Sequence, residues 1–519
     1  MNLDPDTCYK AVASHDRRFD GRFFVGVSST GIYCRPICAV RTPRRENCTF
    51  YDTAASAEKH GFRPCLRCRP ELAPGHGLAD ISGRLAQAAA TLIDEGFMAE
   101  AGVAQLAKRI GVTERHLRRL FDAQFGVSVL EYAQTQKLLL AKRLLTDTTL
   151  PVTQVALAAG FGSVRRFNDV LRQRYGLTPL AMRRRAAEGM ADQLVFELGY
   201  RPPLAWSALL GFLGVRVVDG IEQVRGDIYV RTLAVDVGAQ RHLGWVRLEH
   251  VPKRTVLRVT LSGTLAHAIP QSLGKVRRLC DLGCRPDVVD RHLGDLAADV
   301  PGMRLPGTFD GFEIAVRAIV GQVISVIQAR RILTRLVSLT GEPLPPKALA
   351  GLPEALAGLP AMAGQPPLTH VFPTAQALAD LPDEVYREAG VTPGKLRTIR
   401  ALALGIVSGE VALDPLAPPE ETVARLREID GIGDWTAQYI AMRALGWPDA
   451  FPATDYALRK VLAVSTVRAM HDRTAQWAPW RAYAAIHLWH RYGTPPASGE
   501  PMVDSSEDRS EGHSKEQAA

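Results

Sequence analysis

The chain has 519 residues, 46% of them hydrophobic and 23% charged, with a formal charge of +9, a length beyond one hydrophobic core that predicts three or four domains of ordinary soluble composition. No apolar run reaches the roughly 18 residues that span a bilayer, and residues 1–20 are polar without a signal-peptide core, so no membrane partner and a cytoplasmic, reducing location are expected. The basic balance permits nucleic-acid binding without requiring it.

The first segment, residues 1–75, carries Cys34-x3-Cys38 and Cys65-x2-Cys68, with 26 residues between the pairs. That is the spacing of a tetrahedral zinc site with four thiolates. Its apolar runs are short, so the metal is expected to replace a core. Arg35, Arg41, Arg44, Arg45, Arg63, Arg67 and Arg69 crowd the pairs, which suggests thiolate chemistry beside a polyanion. A generic site of this kind more often only holds a fold. Cys8, Cys48, Cys280 and Cys284 lack this pattern and read as small buried residues.

The run Phe24-Val-Gly-Val-Ser-Ser-Thr-Gly-Ile-Tyr-Cys34-Arg-Pro-Ile-Cys38, with Pro43-x-x-Glu46-Asn47 and Gly61-Phe-Arg-Pro-Cys65-Leu-Arg-Cys68, resembles the N-terminal domain of the Ada family of DNA-methylation sensors. The resemblance covers roughly seventy residues. It implies one zinc ion on Cys34, Cys38, Cys65 and Cys68, and methyl transfer from a DNA methyl phosphotriester to Cys34. Methylation converts a thiolate to a thioether and removes one negative charge, so the methylated protein is expected to bind DNA more tightly. A thioether is a poor leaving group, so transfer is expected once per molecule.

From 80 to 186 the apolar spacing is helical. Val103 to Thr113 reads as helix, glycine turn and N-cap, followed by a helix bearing Arg115, His116, Arg118 and Arg119. Val152 to Ala159, Gly160 and Ser163 repeat the pattern, followed by Arg165, Arg166 and Asn168. A recognition helix would present these first-turn side chains to the major groove. One such unit equally fits a bundle with a basic face. Two units, with Tyr175-Gly-Leu-Thr-Pro179, resemble the AraC-type DNA-binding domain, which follows the zinc module in Ada proteins.

Between 194 and 300, Leu257, Val259 and Leu261 alternate with Arg258 and Thr260, and Val246 and Leu248 flank Arg247. These predict strands of a sheet with one wet face. Helical spacing returns over 301–495, broken by a Pro/Gly/Ala-rich insertion, 341–367, expected to be a surface loop. The acidic segment 496–519 is expected to be disordered.

Leu426 to Tyr439 contains Gly431-Ile-Gly433-Asp-Trp435, the form of a helix-hairpin-helix whose backbone N–H groups can meet a phosphate. Phe451-Pro-Ala-Thr-Asp455-Tyr follows. Alone, Asp455 could simply cap the next helix, as Thr454 could. Together these motifs resemble the helix-hairpin-helix glycosylases, specifically the AlkA type of 3-methyladenine glycosylase II, over about 203–492. The resemblance implies that Asp455 is the catalytic carboxylate, stabilising positive charge on the deoxyribose. It implies a base pocket from Phe212, Trp435, Tyr439 and Trp489, each of which could instead pack a core. It places Gln322 and Val323 against DNA, with Val323 wedging into the duplex gap. Relatives that cut the strand have lysine where this chain has Trp435, so base removal without strand cleavage is expected. The Pro-Cys-His-Arg signature of O6-methylguanine repair is missing: Leu66 and Arg67 follow Pro64-Cys65.

The predicted architecture is multidomain and mostly α. It comprises a small zinc-bound α+β domain (1–75), an α-helical double helix-turn-helix (80–186), an α+β sheet domain (194–300), all-α helix-hairpin-helix glycosylase domains (301–495) and a tail (496–519). The expected function is alkylation sensing and transcriptional activation fused to excision of alkylated bases. The rival is a transcription factor with a non-catalytic glycosylase-like module. Double-stranded DNA and RNA polymerase are the expected partners, and a monomer the expected state.

Overall fold

The computed structural model describes residues 4–75, 84–99, 101–183, 193–352, 356 and 366–493. The segment 496–519 and much of the 341–367 insertion lie outside the described residues.

The N-terminal module is a sheet of β1 (Phe24–Val27), β2 (Ile32–Cys34), β3 (Cys48–Tyr51) and β4 (Arg63–Pro64), in the order β3-β1-β2-β4. β1 pairs antiparallel with β2 and β3, whereas β4 pairs parallel with β2, Tyr33 facing Pro64. This parallel pair ends each strand on a cysteine pair: β2 runs into Cys34, and Cys65 N donates to Tyr33 O at 3.0 Å. Cys8, Val12, Phe23, Val25 and Cys48 pack with the other cysteines into one small core.

In the first helix-turn-helix, Val103–Arg109 is followed by Glu114–Phe125, whose N-cap Thr113 accepts from His116 N. In the second, Val152–Ala158 precedes Val164–Tyr175, capped by Ser163. Gly126 and Gly176 end the two second helices at φ +67° and +66°, conformations glycine adopts without strain. The long helix Val129–Asp147 joins the units. Leu117, Phe121 and Phe125 form the first core with Tyr132. Among the described residues the second unit has no separate core, since Phe167, Leu171 and Tyr175 join the buried face of the following sheet.

That sheet is antiparallel throughout, order β5-β9-β8-β7-β6, with β5 (Gln193–Gly199), β6 (Glu222–Arg225), β7 (Ile228–Val237), β8 (Gln240–Val251) and β9 (Val256–Ser262). Val246 faces Leu261 and Leu248 faces Val259, as the alternation requires. The second face is not simply wet. Thr260 is buried, and Ile228, Val230 and Trp245 pack against Leu352 and Leu368. The described part of the insertion is therefore no surface loop. It pairs β10 (Glu342–Pro343) with β11 (His370–Val371), forms the helix Pro346–Ala350, and accepts Trp245 Nε1 on Ala348 O at 2.9 Å. Its Pro/Gly content reads as loop, but its leucines cover apolar surface that the strands leave bare.

The remaining helices enclose the largest apolar cluster, running from Val218 to Leu488. Arg231 and Arg317 bind Glu313, and Arg317 reaches Glu222, so a buried ion network joins the sheet to the helix Gly311–Val320. Each charge in it has an opposite partner, the condition for ions to survive burial. No helix among the described residues is long and apolar enough to cross a membrane.

Candidate functional site

Two centres emerge. In the first, one Sγ each from Cys34, Cys38, Cys65 and Cys68 lies within 4.8 Å of the others. A tetrahedral zinc with bonds of about 2.3 Å needs sulfurs about 3.8 Å apart, so this donor set fits one zinc ion. The backbone N–H groups of Arg35 and Arg67 point at Cys68 Sγ and Cys65 Sγ, both at 3.3 Å. Cys34, Cys38 and Cys65 are each 6% exposed, and Cys68 is the more open sulfur.

The basic crowd divides. Arg41, Arg44 and Arg67 are exposed. Arg35 is buried and paired with Asp20, its Nη1 donating to Cys68 O, so it braces the centre from inside. Arg69 is tied to Glu71 and Asp147, and Arg45 lies over Tyr9 and Phe50. Sequence proximity alone could not separate these roles.

On the helix-turn-helix faces, Arg115, Arg118, Arg119, Arg165 and Arg166 are exposed, and His116 and Asn168 half-buried. Arg118 pairs with Glu114 at 2.9 Å, and Arg119 Nη2 meets His116 Nδ1 at 3.1 Å.

The second centre surrounds Asp455, the residue before the helix Tyr456–Leu462. Its Oδ1 accepts Leu458 N at 2.9 Å, so it does cap the helix, while Thr454 is exposed. It also accepts Trp435 Nε1 on Oδ2 at 2.8 Å and Trp489 Nε1 on Oδ1 at 3.0 Å. Three donors thus fix one carboxylate. The indoles were expected only as faces, and their N–H role was missed because spacing does not report which way a ring points.

The four predicted aromatics do converge. Trp435 stacks on Tyr439 with centroids 5.2 Å apart, Tyr439 meets Trp489 at 6.1 Å, and Phe212 meets Trp489 at 6.4 Å. Two arginines missed in the sequence join them. Arg443 donates Nη1 to Tyr439 Oη at 2.7 Å, Nε to Pro306 O and Nη2 to Gly307 O. Arg216 lies over Phe212. Burial pushes the Tyr439 phenol up, but Arg443 and Arg216 outweigh it and hold its pKa below the ordinary value.

The hairpin lies between Pro419–Arg427 and Asp434–Ala444. Gly431 has φ +89°, and a Cβ there would meet Thr398 Oγ1 at 2.2 Å. Around Gly433 a Cβ would meet nothing within 4 Å, so that backbone is open to an approaching group. Gln322 does not reach outward with its amide N–H groups, because Nε2 donates to Gly431 O and Thr436 Oγ1 at 2.8 and 2.9 Å. Lys395 Nζ holds Val320 O and Gln322 O. The loop so braced projects Val323, 99% exposed at φ +59°. A β-branched residue in the left-handed region and wholly in solvent is strained with no packing in return.

A cavity of about 680 Å³ lies elsewhere, between segments that include Glu71, Asp94, Arg277 and Trp447, and meets the aromatic cluster only through Arg443. Carboxylate and donor geometry, not cavity size, single out the Asp455 site.

Three family models match this chain: the metal binding domain of Ada over residues 7–71, a helix-turn-helix domain over 106–185 and the AlkA N-terminal domain over 195–310. A probable bifunctional transcriptional activator/DNA repair enzyme AlkA of Mycobacterium tuberculosis is 37% identical over 505 residues, covering 94% of this chain and 97% of that protein. The DNA-3-methyladenine glycosylase 2 of Escherichia coli K12 is 33% identical over 302 residues, covering 58% of this chain and 99% of its own. A solved 3-methyladenine DNA-glycosylase from Archaeoglobus fulgidus is 17% identical, covering 58% of this chain and 100% of its own, with a TM-score of 0.46.

Proposed function

Since the chain belongs to the family of bifunctional transcriptional activator/DNA repair enzymes AlkA, we propose that it senses DNA alkylation at Cys34 and excises alkylated bases with Asp455. The observation that carries the excision reading is the Asp455 carboxylate, held by two indole N–H groups beside a cluster of aromatic faces.

Zinc, when bound, keeps the four sulfurs deprotonated. Cys34 Sγ attacks the methyl carbon of a backbone methyl phosphotriester. The S–C bond forms as the C–O bond breaks, and the phosphate oxygen leaves with the electron pair. The product thioether is not regenerated, so each molecule acts once. The loss of one negative charge then tightens DNA binding by the basic helices that begin at Glu114 and Val164. The activator so formed recruits RNA polymerase and works as a monomer.

In the other half, the alkylated base leaves the stack and enters the aromatic cluster. Val323 fills the gap it vacates. The open backbone at Gly433 receives a phosphate at the start of the helix Asp434–Ala444. As the glycosidic bond lengthens, the Asp455 carboxylate stabilises the cationic sugar, and water completes hydrolysis. The alkylated purine leaves readily because it is already cationic. Trp435 stands where strand-cutting relatives carry lysine, so no Schiff base forms and the backbone remains intact. The rival reading, a glycosylase-like module without catalysis, does not account for a carboxylate with three converging donors.

Single-turnover excision from a methylated duplex tests this. Wild type should leave abasic sites that break only on later alkali treatment, and Asp455→Asn should leave almost none. Equal product from both sinks the catalytic reading, and strand breaks before alkali sink the claim that cleavage stops at the base.

A further inference from the structure

Arg216 lies two residues beyond the helix Trp206–Gly214. Its Nη1 donates to Phe212 O at 2.9 Å, and its guanidinium carbon stands 3.9 Å from the Phe212 ring centroid. A flat group stacked on that face would sit about 3.5–4 Å from the ring, the distance of optimal carbon contact. The guanidinium therefore stands where a base would stack on Phe212.

The second guanidinium near this ring is anchored differently. Arg443 is 4.9 Å from the Phe212 centroid and is bound to Pro306 O, Gly307 O and Tyr439 Oη. It is part of the wall. Arg216 is held by a carbonyl at its own helix end and by its position beside the Tyr439 phenol. Displacing its side chain breaks these contacts and leaves the three hydrogen bonds of Arg443 in place.

We propose that Arg216 fills the base site of the DNA-free protein and sets the selectivity of excision, because every incoming base must displace a cation already stacked on Phe212. This rests on the glycosylase reading above. A cationic N-alkylpurine restores the lost cation–π contact with its own charge. A neutral purine of the same size does not, and stays at a disadvantage. The displaced cation thus discriminates against uncharged bases, which stacking alone would admit nearly as well. The effect of one such contact in a partly desolvated site is on the order of tenfold.

The test compares single-turnover excision of one 7-methylguanine, a cationic base, with one hypoxanthine, a neutral base, in otherwise identical duplexes. The proteins are wild type, Arg216→Gln, Arg216→Met and Arg216→Lys, each full-length and with its melting temperature recorded. In both uncharged variants, excision of hypoxanthine relative to 7-methylguanine should rise by on the order of tenfold. Arg216→Lys keeps a cation and should stay within about threefold of wild type. A merely structural role would lower both rates together and leave their ratio unchanged. An unchanged ratio, or one shifted toward 7-methylguanine, in a properly folded uncharged variant overturns the proposal while the glycosylase reading stands. A wild type that excises neither base overturns both.

Discussion

Asp455 and Trp489 are 34 residues apart in the chain, yet the indole Nε1 lies 3.0 Å from the carboxylate Oδ1. Trp435 approaches the other oxygen, so the carboxylate has its plane set from both sides. Trp489→Phe keeps an aromatic face and deletes one donor. Excision should fall by on the order of tenfold while duplex affinity is retained, because the loss is one of orientation. Asp455→Asn should cost at least on the order of 100-fold, with little change in melting temperature, since asparagine also caps helices. Single-turnover rates and a binding titration on the same duplex check both.

The hairpin glycines should separate stability from binding. Gly431→Ala places a Cβ 2.2 Å from Thr398 Oγ1 at φ +89° and should destabilise the protein by about 2 kcal/mol or more. Gly433→Ala meets no protein atom, so the fold should lose less than about 1 kcal/mol. Its methyl would intrude where a phosphate is proposed to approach, so duplex affinity should drop. Thermal unfolding and fluorescence anisotropy distinguish the two outcomes.

Val323→Gly should act in opposite directions on fold and activity. The side chain is 99% exposed and its backbone has φ +59°, so glycine relieves strain and removes no burial. Stability should hold or rise by up to about 1 kcal/mol. Excision should fall, because nothing is left to fill the gap behind the flipped base. A parallel loss of melting temperature and activity would contradict this assignment.

Glu58 is buried where the cysteine module meets the helix-turn-helix pair. It accepts Tyr33 Oη and Tyr175 Oη on Oε1 and Thr135 Oγ1 on Oε2. Burial pushes its carboxyl from 4.5 up to about 7, against the lowering effect of these bonds and of Arg174. A raised native pKa favours the protonated form. The stability it contributes is present below about pH 4.5 and is lost as pH climbs through about 7. Glu58→Gln removes that loss. At pH 8 the variant should be the more stable protein by on the order of 3 kcal/mol, and near pH 4.5 the two should converge. Denaturant unfolding across pH 4.5–8 checks the sign.

Stripping zinc with a chelator should abolish methyl acceptance at Cys34, because the four thiols lose the ion that holds them deprotonated and together. Excision, proposed to use the Asp455 carboxylate and not the cysteine cluster, should persist within about threefold. Mass spectrometry of the chain after exposure to methylated DNA reads the first effect, and the abasic-site assay reads the second.

The cysteine pairs, both helix-turn-helix units, the glycine hairpin and Asp455 as a helix cap were legible in the amino-acid order. Each is governed by interactions within a few residues: Thr113 and Ser163 cap the helices they precede, and Gly431 turns where only glycine fits. The same locality hid what lies across the fold. Parallel pairing of β2 with β4 brings Cys34 beside Cys65, Arg35 is withdrawn from the surface by Asp20, and an insertion that reads as loop covers the sheet at Trp245. Arg216 and Arg443 gave no signal, since an arginine in a helical pattern reads as a solvated charge until the ring beneath it is seen. The amino-acid order alone thus determined which chemical groups the protein carries and how its local elements begin and end. Tertiary packing alone decided which donors meet Asp455, because side chains converging from distant elements obey no spacing that the chain can display.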